Sequence, residues 1–65
     1  MDMSEALTLW ESLGNTYASW DAKEAYYTLL INKDGEVAGY IKTVAGGIFW
    51  QWPDELLEAR KVQLT

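Results

Sequence analysis

The chain contains no cysteine and no histidine. Without cysteine there is no disulfide and no thiolate metal site. Without histidine it lacks the commonest transition-metal ligand and the commonest general base. Ser4, Ser12 and Ser19 therefore have no imidazole or thiol partner for an activated-nucleophile triad, and a Ser–Lys dyad with Lys23 has no motif around it. Positive charge is also sparse. Lys23, Lys33, Lys42, Arg60 and Lys61 are scattered apart from the last pair. Nucleic-acid binders gather Lys and Arg on one face, so direct contact with DNA or RNA is not expected, nor docking on anionic lipid. No apolar run approaches the roughly 20 residues that span a bilayer. The N-terminal MDMSEALTLW has neither the basic region nor the unbroken apolar region of a secretory signal. A soluble cytoplasmic protein is expected.

Acid and aromatics are plentiful. Ten Asp and Glu give a formal net charge of −5, and four Trp, four Tyr and one Phe stand among 65 residues. One small domain over 1–65 is the only division this length allows. A single core of that size supplies roughly 3–5 kcal/mol, so aromatic burial and self-association remain as stabilisers.

Asp2 and Ser4 are candidate N-caps, and Asp2-Met3-Ser4-Glu5 has the spacing of an acidic capping box. Met3, Leu7, Trp10, Leu13, Tyr17 and Trp20 recur in steps of three and four, which predicts a helix over 4–14 and its continuation over 15–23, with Gly14-Asn15 as a C-cap between them. Residues 25–31 are rich in β-formers and predict a strand. Asn32-Lys33-Asp34-Gly35 predicts a type I turn with glycine in the left-handed position. Residues 36–44 continue as a second strand, Ala45-Gly46-Gly47 turns the chain, and 48–52 form a third. Pro53 ends the sheet and suits the first position of a C-terminal helix. Asp54 and Glu55 in its first turn and Arg60 and Lys61 in its last complement the dipole. The expected fold is α+β, a three-stranded antiparallel meander between two helices, α-β-β-β-α.

Alternation gives neither face of that sheet a clean apolar-in, polar-out pattern. Tyr27, Leu29 and Ile31 oppose Tyr26, Thr28 and Leu30. Val37, Ile41 and Thr43 oppose Ala38, Tyr40 and Val44. Ile48, Trp50 and Trp52 oppose Phe49 and Gln51. The C-terminal helix is weakly amphipathic, with Leu56, Leu57 and Leu64 around Arg60, and covers little. Two short helices cover both faces only if they split. The stretch GGIFWQW then reads as half core and half contact surface, and Gly39 as a site where an aromatic such as Trp50 packs closely. Tyr26, Tyr40, Phe49, Trp50 and Trp52 are the expected partner-binding aromatics, with Asp54, Glu55 and Glu58 as acidic contacts.

Other constellations carry no chemistry. Asn32 to Glu36 resembles part of a calcium loop, but Leu30 stands where an acidic ligand is needed and no flanking helix supplies the later Glu. Glu55 and Glu58 share a helix face, where acid is favoured by the dipole alone. Gly46-Gly47 is too short to cradle phosphate and leads into a strand. No catalytic, cofactor-binding or metal-binding residue is expected, and no enzymatic activity.

The sequence therefore points to a stoichiometric protein-binding module, an inhibitor or adaptor, including a phage-encoded one, that docks an aromatic patch on a basic or mixed surface. An alternative is nucleic-acid mimicry, with acidic side chains standing for phosphates, as in some anti-CRISPR proteins. That likeness lies in size, acidity and element order, and no residue motif carries it. A further alternative is a structural homo-oligomer pairing along its third strand or burying tryptophans between copies.

Overall fold

A computed structural model describes residues 1–64. Helix α1 spans Met3–Ser12, followed by strands β1 (Thr16–Ala22), β2 (Ala25–Ile31), β3 (Val37–Val44) and β4 (Gly47–Gln51), and by helix α2 (Asp54–Leu64). The class is α+β, as the sequence predicts, but the antiparallel sheet has four strands in the order β1-β2-β3-β4 rather than three. The added strand is the segment read as helical continuation over 15–23.

Helix α1 begins where its cap allows. Asp2 accepts from the Glu5 backbone N–H at 2.8 Å, satisfying one donor the first turn leaves free. It ends at Leu13, after which Gly14 takes φ +87° and its N–H reaches the Glu11 carbonyl at 2.9 Å. That left-handed residue turns the chain into β1, with Tyr17 opposite Leu30 and Trp20 opposite Tyr27.

The β2–β3 hairpin follows its turn residues. Asn32 Oδ1 accepts from the N–H groups of Asp34 and Glu36, both at 3.0 Å, and Gly35 adopts φ +82°. One register shift follows at Leu30/Ile31, so Leu30 pairs with Gly39 while Ile31 pairs with Val37. This bulge moves Val37 from the face of Ile41, where strict alternation puts it, to the face of Tyr40.

Both helices lie on one face of the sheet instead of splitting. The core draws Ala6 and Trp10 from α1, Leu30 from β2 and Leu56 from α2, with Met1, Leu7, Leu9, Leu13 and Trp52 packed around them. Ile41 is buried on the same face. Pro53 stands just before α2, one position earlier than expected, and its carbonyl accepts from the N–H groups of Leu56 and Leu57. It crosses directly over Gly39. A Cβ there would lie 2.7 Å from Pro53 Cδ and collide with the Gln51 carbonyl, so the close approach at Gly39 comes from Pro53 and Gln51 and not from Trp50. Leu56 is the fully buried anchor of α2, while Leu57 is exposed. The side chain of Leu64, which was expected to contribute here, lies outside what the structure describes. The molecule is a thin two-layer plate of 38 × 25 × 15 Å.

Candidate functional site: an uncovered aromatic sheet face

With both helices on one side, the other side of the sheet has no covering layer. Alternation and the observed register assign its positions: Trp20 on β1, Tyr27, Leu29 and Ile31 on β2, Val37, Tyr40, Lys42 and Val44 on β3, and Phe49 and Gln51 on β4. Aromatic rings run across it. Trp20 and Tyr27 are direct cross-strand partners and stack with centroids 5.0 Å apart. Tyr27 meets Tyr40 edge-on at 6.3 Å. The Lys42 ammonium stands over the Tyr27 ring, 5.8 Å from its centroid. Phe49 pairs with Lys42 across β3 and β4 and is 55% exposed.

Charge is distributed unevenly. None of the strand positions on this face is acidic, and Lys42 is its one charged residue. The acidic side chains belong to the helices, the turns and the opposite face, where Asp21 lies. Two charged turns bound the open face: Lys23-Glu24 at one end, beside the uncharged Ala45-Gly46 turn, and Lys33, Asp34 and Glu36 at the other. At the first end a hollow of about 370 Å³ is lined in part by Lys23, Glu24, Tyr27 and Lys42.

The residues expected from the sequence do not form one site. Tyr40 and Phe49 belong to the open face. Tyr26 is on the helix face but exposed, because the helices cover only the end of the sheet near Leu30 and Gly39. Trp50 is also on the helix face and 53% exposed, stacked on Trp52 at 5.8 Å. Trp52 lies just past β4 and packs on the core, so within GGIFWQW only Trp52 is a core residue; Ile48, Phe49 and Trp50 are all exposed. The acidic candidates are apart again, on α2. Asp54 is exposed, Glu55 accepts from Asn15 Nδ2 at 3.3 Å, and Glu58 pairs with Lys61 at 3.4 Å. Arg60 bridges α2 to Glu5 of α1 at 3.3 Å. Among the described residues no group of three acidic side chains converges on a metal-sized site.

Sequence reasoning missed Trp20 and Lys42, and gave Tyr27 no contact role. A signal was present: Thr16, Tyr17 and Trp20 are β-formers in a short stretch behind a Gly-Asn break. No helix among the described residues is long and apolar enough to cross a membrane. The chain matches no protein-family model, no curated protein and no solved structure.

Proposed function

We propose that this chain is a small non-enzymatic protein-binding module that acts stoichiometrically, as an inhibitor or adaptor, by laying its open sheet face on a partner. The observation that carries this reading is the uncovered row Trp20–Tyr27–Tyr40, with Phe49 beside it. Trp and Tyr are the residues most enriched where binding energy concentrates. Here they project from paired strands, so little backbone order has to be gained on binding. The face suits a partner with an apolar centre, an acceptor for Lys42 and a rim of mixed charge to meet the two turn ends.

The test is affinity capture by the purified chain at low and moderate salt, beside Trp20→Ala and Tyr40→Ala variants whose fold is checked by circular dichroism. One stoichiometric partner, retained by the wild type and lost by both folded variants, is the expected result. Retention by both variants overturns the reading. Loss from the wild type on adding moderate salt instead implicates acidic groups such as Asp54, Glu55 and Glu58, and favours mimicry.

A further inference from the structure

Strand β4 is an edge, and an edge presents a row of unpaired N–H and C=O groups. Proteins ordinarily blunt such edges with charge, proline, a bulge or a covering segment. Gly47–Gln51 has no charged residue and no proline, and it pairs with β3 from Val44↔Gly47 to Tyr40↔Gln51 without a register shift. All five residues are exposed, and apolar surface stands on both sides of the strand: Ile48 at 53% and Trp50 at 53% on the helix face, Phe49 at 55% on the open face. The other edge differs. Strand β1 carries Asp21, runs into Lys23-Glu24 and has α1 packed against it.

We infer that β4 is a self-pairing edge: a second copy of this chain adds its own β4 antiparallel to it, about a two-fold axis at Phe49, joining two four-stranded sheets into one. This does not rest on the docking role proposed above. Charge limits which surfaces two copies can share, because the like net charges of the copies repel. Each copy carries −5, so most contacts between copies, above all through the helices, bring acid against acid. The two-fold at Phe49 opposes no like charges. Phe49 faces its own counterpart, Ile48 faces Trp50, and Gly47 faces Gln51.

Shape supports the same occupant. On the helix face, beside the strand, a largely apolar groove of about 260 Å³ is lined by Met1, Met3, Ile41, Ile48, Trp50 and Trp52, with Asp2 as its one acidic residue. A partner strand in this register places its Trp50 beside Ile48, at the mouth of that groove. Three half-exposed side chains offer roughly 300 Å² per copy. The paired backbones add to this, reaching the lower size class of specific interfaces. The dimer is thus concentration-dependent. Both open faces lie on the same side of the joined sheet, so the aromatic row is doubled.

Sedimentation equilibrium of the purified chain, from nanomolar to submillimolar, tests this beside Phe49→Lys, Phe49→Glu and Val37→Lys. A monomer–dimer equilibrium is expected. Phe49→Lys opposes two lysines at the axis and weakens dimerisation by at least about tenfold. Mixing it with Phe49→Glu restores the dimer, and Val37→Lys, on the open face away from β4, leaves the dimer intact. A wild-type chain that stays monomeric throughout overturns the inference. So does a dimer lost in Val37→Lys but kept in Phe49→Lys, which means pairing through the open face. Assembly growing past two copies means β1-to-β4 pairing and overturns it equally. If the Phe49 variants do not fold, amide exchange of the wild type decides: slower exchange over 47–51 at high concentration is expected, and no change there overturns the inference.

Discussion

The indole Nε1–H of Trp10 donates a 2.7 Å hydrogen bond to the main-chain carbonyl of Thr16. Trp10 is fully buried and is the largest side chain in the core. The bond gives the indole its polar partner and fixes the first residue of β1 beneath α1. Trp10→Phe removes ring volume and the donor together. The expected loss is about 2–4 kcal/mol, from the cavity and the orphaned carbonyl. Against a total of roughly 3–5 kcal/mol for a core of this size, the variant keeps only about 1 kcal/mol and a substantial minority of it is unfolded at room temperature. Urea denaturation followed by circular dichroism checks this. A loss below about 1 kcal/mol would show that Trp10 is not the keystone its burial implies.

Gly39 and Gly46 make a paired prediction. A glycine inside a strand usually weakens it, so alanine often helps. At Gly39 it does not, because Pro53 and the Gln51 carbonyl occupy the space a Cβ needs. Gly39→Ala is expected to destabilise by about 1–3 kcal/mol through overpacking. Gly46 has no atom within 4 Å of its Cβ position and no positive φ, so Gly46→Ala is expected to fall between neutral and about 1 kcal/mol stabilising. Thermal midpoints of the two variants should move in opposite directions, or Gly46→Ala should stay put while Gly39→Ala falls.

The local chemistry of the chain was readable and its tertiary sidedness was not. Asp2, Gly14 and the Asn32–Gly35 turn each act within a few residues, so sequence is enough to place them. Strand β1 was hidden by two coincidences. Tyr17 and Trp20 continue the three-and-four spacing of Met3, Leu7, Trp10 and Leu13, so the apolar period stays in phase through a change of structure. The β1–β2 turn, Lys23-Glu24, also has none of the Gly, Asn or Asp that tight hairpins usually announce, and neither residue has positive φ. The division of aromatics is harder still. Ile48 and Trp50 share a sheet face with buried Ile41, yet both are exposed, because the helices stop short of them. No pattern within β4 encodes how far another element reaches.

The Asn32–Gly35 turn separates backbone strain from packing. Gly35 sits at φ +82° with no atom within 4 Å of a Cβ, so only conformation resists substitution there. Gly35→Ala is expected to cost about 1–2 kcal/mol, and Gly35→Asn distinctly less, since Asn tolerates the left-handed region. Asn32→Ala removes the acceptor of two backbone N–H groups and should cost about 1 kcal/mol. Chemical denaturation of the three variants tests the order Gly35→Ala worst and Gly35→Asn mildest.

Two tryptophans separate folding from function. Trp10 is fully buried, whereas Trp20 is 55% exposed and stacks only on Tyr27 along the open face. A cross-strand aromatic pair contributes about 0.2–1 kcal/mol, so Trp20→Thr, which keeps a β-former in β1, is expected to cost less than about 1 kcal/mol. A residue that large, kept in water for so little stability, has another use if the docking proposal is right. The same Trp20→Thr protein should therefore fold normally and fail to hold the partner captured by the wild type. Denaturation and capture on one preparation give both readings. Should Trp20→Thr instead destabilise the chain as much as Trp10→Phe does, Trp20 is a structural residue and the open face loses its main claim to be a binding surface.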